Sequence, residues 1–133
     1  MAITIAELVP LIQVFDMPRA LAFYCRVLGF QISKQSAEGD TFDWALLQLG
    51  GSALMLNTMY EAGDRPPAPD PARVTAHGDT TFYIACTDLD ALHAQLRARG
   101  LEIAPPAVRP YGMKQLELVD PDGYLICFQH PAT

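Results

Sequence analysis

The chain has 133 residues, half of them hydrophobic, and a formal net charge of -6. That length suits one domain with a sizeable core. The acidic balance argues against nucleic acid or an anionic membrane surface as the main partner and is compatible with a cationic ligand. No basic segment precedes an apolar run, and no apolar run is long enough to span a bilayer, so neither a signal peptide nor a membrane anchor is expected. Cys25, Cys86 and Cys127 are odd in number and each sits in an apolar setting. Buried free thiols in a reducing cytoplasm are therefore expected rather than disulfides. There is no nucleotide-binding loop, CxxC pair or HExxH.

The first predicted strand covers 7–15, with Ile12 and Val14 on one face and Leu11 and Gln13 on the other. Asp16 then offers a side-chain oxygen to a free helix N–H, and the helix it opens closes at Gly29. Strands follow at roughly 29–36, 42–49 and 53–58. "YEAGDRPPAPDPARVTAHGD", residues 60 to 79, is rich in Pro, Gly and Ala without a hydrophobic period. It reads as a linker that could cover a cleft.

The second half repeats the order. A strand at 79–86 sets Phe82, Ile84 and Cys86 against Thr81, Tyr83 and Ala85. A helix capped by Thr87 ends at Gly100, and strands follow at 101–107, 114–119 and 124–129. Leu116 and Leu118 oppose Gln115 and Glu117, while Tyr124, Ile126 and Phe128 oppose Leu125, Cys127 and Gln129. Asp120-Pro121-Asp122-Gly123 makes the last turn, Pro121 presetting its first corner and Gly123 taking the backbone that other residues find costly.

The halves superpose at an offset of 71 residues, which places Ala20 on Ala91, Leu21 on Leu92, Gly29 on Gly100, Leu47 on Leu118 and Leu54 on Leu125. An internal repeat of this kind sets the architecture. The expected fold is α+β: two tandem βαβββ modules forming a curved mixed sheet with a concave cavity. Module 1 spans 5–59, the linker 60–78 and module 2 79–131, within a single domain. The apolar strand faces should pack under the helices, and the mixed faces should line the concavity.

"F-D-x-x-x-A-x-x-F-Y-x-x-x-L-G-F" from Phe15 to Phe30, the paired modules and "D-P-D-G-x-x-I" from Asp120 resemble the vicinal oxygen chelate superfamily. That group includes glyoxalase I, extradiol dioxygenases and the fosfomycin- and bleomycin-resistance proteins. "DWALLQLGGSALML" (43 to 56), Tyr111-Gly112 and the second-half segments are most similar to the bleomycin-resistance type. Family enzymes bind a divalent metal through histidine, glutamine or glutamate at the ends of the concave strands. Carried over one at a time, those positions fall on Val9, on Thr81 or Asp79, on Leu56 or Asn57, and on Cys127. None is histidine or glutamate, and valine has no donor at all. His77, His93 and His130 read as exposed residues of the linker, a helix face and the end of the chain.

No metal, cofactor or catalytic residue is therefore expected. A homodimer in the cytoplasm is expected, and the resemblance implies two pockets that each take residues from both chains. Its expected role is metal-free sequestration of an aromatic or cationic, antibiotic-like small molecule. The candidate ligand-binding residues are Gln13, Trp44, Leu46, Asn57, Thr81, Tyr83, Tyr111, Gln115, Glu117, Cys127 and Gln129. Trp44, Tyr83 and Tyr111 can stack on a planar or cationic ligand; core or dimer interface is the other use of such rings. Glu117 is open to three readings: general base, cation site or solvated edge carboxylate. Cys127 as a nucleophile would need a neighbouring base, and none is placed by the pattern, so a packed thiol is expected. The alternative for the whole chain is a lyase, isomerase or dioxygenase of the glyoxalase type with a displaced metal site.

Overall fold

The computed structural model describes residues 2–60 and 63–133. Its elements run β1 (Leu11–Gln13), α1 (Met17–Leu21) continuing as a π-helical stretch (Ala22–Val27), β2 (Gln31–Gln35), β3 (Trp44–Leu49) and β4 (Ser52–Asn57). They continue through α2 (Pro71–His77), β5 (Thr81–Ala85), α3 (Leu89–Ala98), β6 (Ala107–Val108), β7 (Met113–Val119) and β8 (Leu125–Pro131). The strands form two four-stranded mixed sheets, one per module, in the orders β1-β4-β3-β2 and β5-β8-β7-β6. In each, the first strand pairs parallel with the last and the remaining pairs are antiparallel. The duplicated βαβββ order is thus present in both halves.

Alternation decided the faces because one face of each sheet is covered. Ile12, Ala45, Leu47, Leu54 and Leu56 of the first sheet and Leu116, Leu118, Ile126 and Phe128 of the second all lie in one buried apolar cluster. That cluster also holds Met17, Tyr24, Leu89 and Leu96 from the helices, so both modules share a core. Several hydrogen bonds stitch the halves together, that from Arg19 Nη2 to the Pro121 carbonyl at 3.3 Å among them. The Phe15 N–H donates to Asp122 Oδ1 at 2.8 Å, the Gln13 N–H to the Tyr124 hydroxyl at 3.2 Å, the Tyr24 hydroxyl to Asp120 Oδ2, and Arg99 to the Val27 carbonyl at 2.6 Å.

The repeat is less regular than a constant offset. The second helix is capped by Asp88, whose carboxylate accepts from the Ala91 N–H, and not by Thr87. Asp16 plays the same part for α1, so the helix starts are 72 residues apart while Gly29 and Gly100 remain 71 apart. Module 1 therefore carries one extra residue between cap and glycine. The π-helical stretch absorbs it: the Phe30 N–H reaches back six residues to the Tyr24 carbonyl, whereas the Leu101 N–H reaches back five to Leu96. One widened turn is the standard way for a helix to hold an insertion without losing its register. The last strands show a second slip. Leu54 lies on the buried face and Leu125 on the opposite one, so Leu54 corresponds to Ile126 instead.

Other boundaries moved for identifiable reasons. Of the expected strand 101–107 only Ala107 pairs with β7, together with Val108 just beyond it, since Pro105 and Pro106 have no N–H to give a ladder. In β1, Pro10 likewise has no donor, and pairing begins at Leu11. The linker is not structureless. Asp70 caps α2 through the Ala72 N–H with Pro71 at the first helical position, a start signal that does not need hydrophobic periodicity. His77 is not free on the surface either. Its ring stacks on Tyr124 with centroids 4.1 Å apart, and its Nδ1 lies 2.7 Å from the Asp122 carbonyl oxygen. His130 lies within β8 rather than beyond it. Among the described residues, no helix is long and apolar enough to cross a membrane.

Candidate functional site

Strand register arranges the uncovered face of the second sheet as a grid. Across β7, β8 and β5 the rungs are Gln115–Gln129–Ala85, Glu117–Cys127–Tyr83 and Val119–Leu125–Thr81. Because side chains alternate, these nine point to one side. The two lower rungs floor a depression of about 660 Å³ through Thr81, Tyr83, Glu117, Val119, Leu125 and Cys127, while the Gln115–Gln129–Ala85 rung lies outside it. The loop 101–104 forms its far wall with Leu101, Glu102 and Ile103. That volume lies within the roughly 300–1,000 Å³ of small-molecule sites. Tyr83 is 61% exposed, which leaves an aromatic face free to meet a ligand.

The upper rung is hydrogen-bonded sideways. The Tyr111 hydroxyl donates to Gln115 Oε1 at 2.8 Å, and Gln115 Nε2 donates to Gln129 Oε1 at 2.9 Å. Gln115 is buried, so this pairing meets the cost of withdrawing a carboxamide from water. The two glutamines are a lateral pair across β7 and β8, and Tyr111 reaches them from the turn before β7.

Gln13, Trp44, Leu46 and Asn57 occupy the corresponding face of the first sheet, where Trp44 stands opposite Asn57 and Gln13 stands opposite Asn57 on its other side. Asn57 Nδ2 donates to Gln13 Oε1 at 3.3 Å. None of the four lines the 660 Å³ depression. The eleven candidates thus form two groups, seven on or beside the second sheet and four on the first. Between the modules a separate cleft of about 350 Å³ is bounded by Pro10, Ala53 and Phe82; Thr81 and Tyr83 line both hollows, making β5 the wall between them.

Sequence reasoning passed over Arg109 and Glu102. Arg109 Nη2 lies 3.1 Å from Glu117 Oε1. Arg109 precedes β7 in a hairpin, and only the folded register shows that it reaches a residue eight positions away. Glu102 stood in an expected strand, and its place on the wall follows from that segment being a loop.

Burial, with Glu117 adding to it, pushes the Cys127 thiol above its ordinary pKa, and Arg109 pulls it partly back. A thiol that is both buried and held protonated is a weak nucleophile and a weak metal ligand. Cys127 should therefore resist a disulfide reagent such as dithionitrobenzoate at neutral pH. Mass mapping should find it unlabelled in the native protein and labelled once denaturant is added; rapid native labelling would refute the packed-thiol reading. The donor set fits a divalent metal no better. Thr81 and Cys127 supply a hydroxyl and a protonated sulfur, and Val9 supplies nothing. Among the described residues no three His, Cys, Asp or Glu side chains converge.

The family model of the Glyoxalase/Bleomycin resistance protein/Dioxygenase superfamily matches residues 4–128. No curated protein matches the chain. Solved structures with the same fold include TioX from Micromonospora sp. ML1, at 23% identity and a TM-score of 0.72, covering 95% of this chain and 98% of that one. The bleomycin resistance determinant encoded on transposon Tn5 aligns at 23% identity and a TM-score of 0.71, covering 97% and 100%. The bleomycin-binding protein from Streptomyces verticillus, complexed with copper(II)-bleomycin, aligns at 23% identity and 0.68, covering 96% and 97%.

Proposed function

Because the chain belongs to the glyoxalase/bleomycin resistance protein/dioxygenase superfamily, we propose that it binds and sequesters an aromatic or cationic, antibiotic-like small molecule without using a metal. The observation that carries this reading is the uncovered grid of the second sheet. It sets an exposed tyrosine and a carboxylate in a hollow of ligand size, with the Gln115–Gln129 carboxamide pair on the neighbouring rung outside it. Such a surface recognises by stacking and hydrogen bonding, and the positions that hold metal in family enzymes lack a workable donor set. The antibiotic-binding proteins that share the fold support the ligand class.

A homodimer in the cytoplasm completes the proposal. Residues 2–10 have no regular structure, and Ile3, Ile5 and Leu8 among them are about 90% exposed, while Leu11, Tyr83 and Val119 also meet solvent. That much open apolar surface favours a partner. A second copy would also bring the Trp44 group of one chain to the Tyr83 group of another, reuniting residues that one chain keeps on separate sheets. Light scattering should give twice the 14.6 kDa chain mass.

The test is a thermal-shift screen of metal-free protein against bleomycin and a panel of aromatic cations, with metal content measured alongside. At least one compound should raise the melting temperature. Tyr83→Ala should then weaken that compound about tenfold, the loss of roughly 1.4 kcal/mol of stacking and burial. No stabilising compound, together with stoichiometric metal and metal-dependent turnover, would replace this reading with the enzymatic one.

A further inference from the structure

The hollow on the second sheet is charged in one sense only. Both charged side chains that line it, Glu102 and Glu117, are carboxylates, and among the described residues no lysine, arginine or histidine lines it. Among the described residues its one cationic contact enters from outside, where Arg109 reaches Glu117 through a single pair of atoms, Nη2 and Oε1, at 3.1 Å. Both ends stay accessible to water, with Glu117 60% and Arg109 38% exposed. A one-point ion pair of this kind is held weakly, in contrast to the two parallel bonds that a guanidinium can make with a carboxylate.

We propose that Arg109 is a specificity-determining residue that occupies Glu117 in place of a ligand cation, so that the pocket selects positively charged aromatic compounds and admits them by displacing Arg109. The inference rests on the binding reading above and gives the site a chemical class. The aromatic part of the ligand meets Tyr83, which neighbours Cys127 on one side as Glu117 does on the other. A cation over that rung therefore lies between a tyrosine face and a carboxylate, and both attract positive charge. Arg109 leaves from the far side of β7, so its departure uncovers the carboxylate without disturbing β5 or β8. Its guanidinium competes directly with the ligand, and removing it must strengthen cation binding.

The experiment compares N-methylquinolinium, a permanent cation, with quinoline, its nearly isosteric neutral partner, by calorimetric titration at pH 7.5 and low salt. Wild-type protein should prefer the cation. Arg109→Gln should bind N-methylquinolinium about three- to tenfold tighter, the size expected for release of an exposed ion pair, and quinoline within twofold of wild type. Arg109→Lys should stay near wild type, and Glu117→Gln should erase the preference for the cation. Added salt should weaken the cation's binding and leave quinoline's unchanged. Weaker cation binding by Arg109→Gln, an equal change for both probes, or a charge preference that survives Glu117→Gln overturns the role of Arg109 and leaves binding itself standing. If neither probe binds any of the four proteins, the binding reading falls with it.

Discussion

Gly123→Ala should unfold the contact between the linker and the second module and lower the melting temperature by about 10 °C. Two costs add. Gly123 has φ of +92°, a conformation that a side chain makes unfavourable by about 1 kcal/mol or more. A methyl group there would also overlap the Val74 carbonyl oxygen, and Val74 belongs to α2, so the obstacle is backbone that no rotamer change can clear. The helix must move away, which breaks the His77 stack on Tyr124 and the contact of His77 Nδ1 with the Asp122 carbonyl. Together these amount to about 3 kcal/mol, in the range of the largest single-residue effects. Trypsin should report the location of the damage. Arg73 lies in α2, and cleavage after it should accelerate in the variant well before global unfolding. Gly50→Ala is the control: it too has positive φ, but nothing lies within 4 Å of the added methyl, so it should cost only the conformational part. Equal effects at the two glycines would show that α2 does not depend on Gly123.

The same junction explains which features could be read from the sequence. Faces were legible because the covered side of each strand demands apolar residues at every second position, as Leu54 and Leu56 or Ile126 and Phe128 satisfy. The caps at Asp16 and the turn at Asp120 were legible because their chemistry is local. The linker helix carried a local start signal at Asp70-Pro71, but its docking was not legible, because what holds it is long-range: His77 packs on a residue 47 positions later, and no periodicity within 71–77 foretells that. The inserted residue in the first helix was present as a difference in spacing between caps and glycines, and it was hidden by an alignment that took the glycines as its anchor. The candidate site divided in a similar way. Alternation placed Thr81, Tyr83, Glu117 and Cys127 on one surface, since register follows from hairpin and crossover together. It could not reveal that Glu117 meets Arg109, a contact set by side-chain reach rather than by face. Nor could it bring the Trp44 group to the same hollow, because that depends on how the sheets are apposed, which no single strand encodes.

Asp120→Ala should be the most damaging change in the protein, at about 3–5 kcal/mol. The carboxylate is 4% exposed. Its Oδ1 accepts from the N–H groups of Asp122 and Tyr124 at 2.8 and 2.9 Å, and its Oδ2 accepts from the Tyr24 hydroxyl. Alanine strands all three donors in the core, and one of them belongs to the helix of the other module, so the turn loses its shape and the halves lose a tie at once. Asp120→Asn keeps an oxygen for the two N–H groups and offers an amide to Tyr24 as its hydroxyl rotates, and should cost about 1 kcal/mol. Tyr24→Phe removes only the donor and should cost a similar amount; combined with Asp120→Ala it should add little, since that bond is already gone. The pH dependence gives an independent check. Burial pushes the carboxyls of Asp120 and Asp122 above their ordinary value of 3.8, and for Asp120 the Tyr24 hydroxyl and the two N–H groups pull partly back. A carboxyl with a higher pKa folded than unfolded holds its proton more tightly in the native state, so its contribution to stability falls as pH rises from about 3.8 through the folded value. Asp120→Asn, which cannot ionise, should lose part of that decline, so that its deficit against wild type in chemical denaturation is larger near pH 4 than at pH 7. A deficit that instead grows with pH would mean that the ionised carboxylate is the stabilised form and that its three donors outweigh burial.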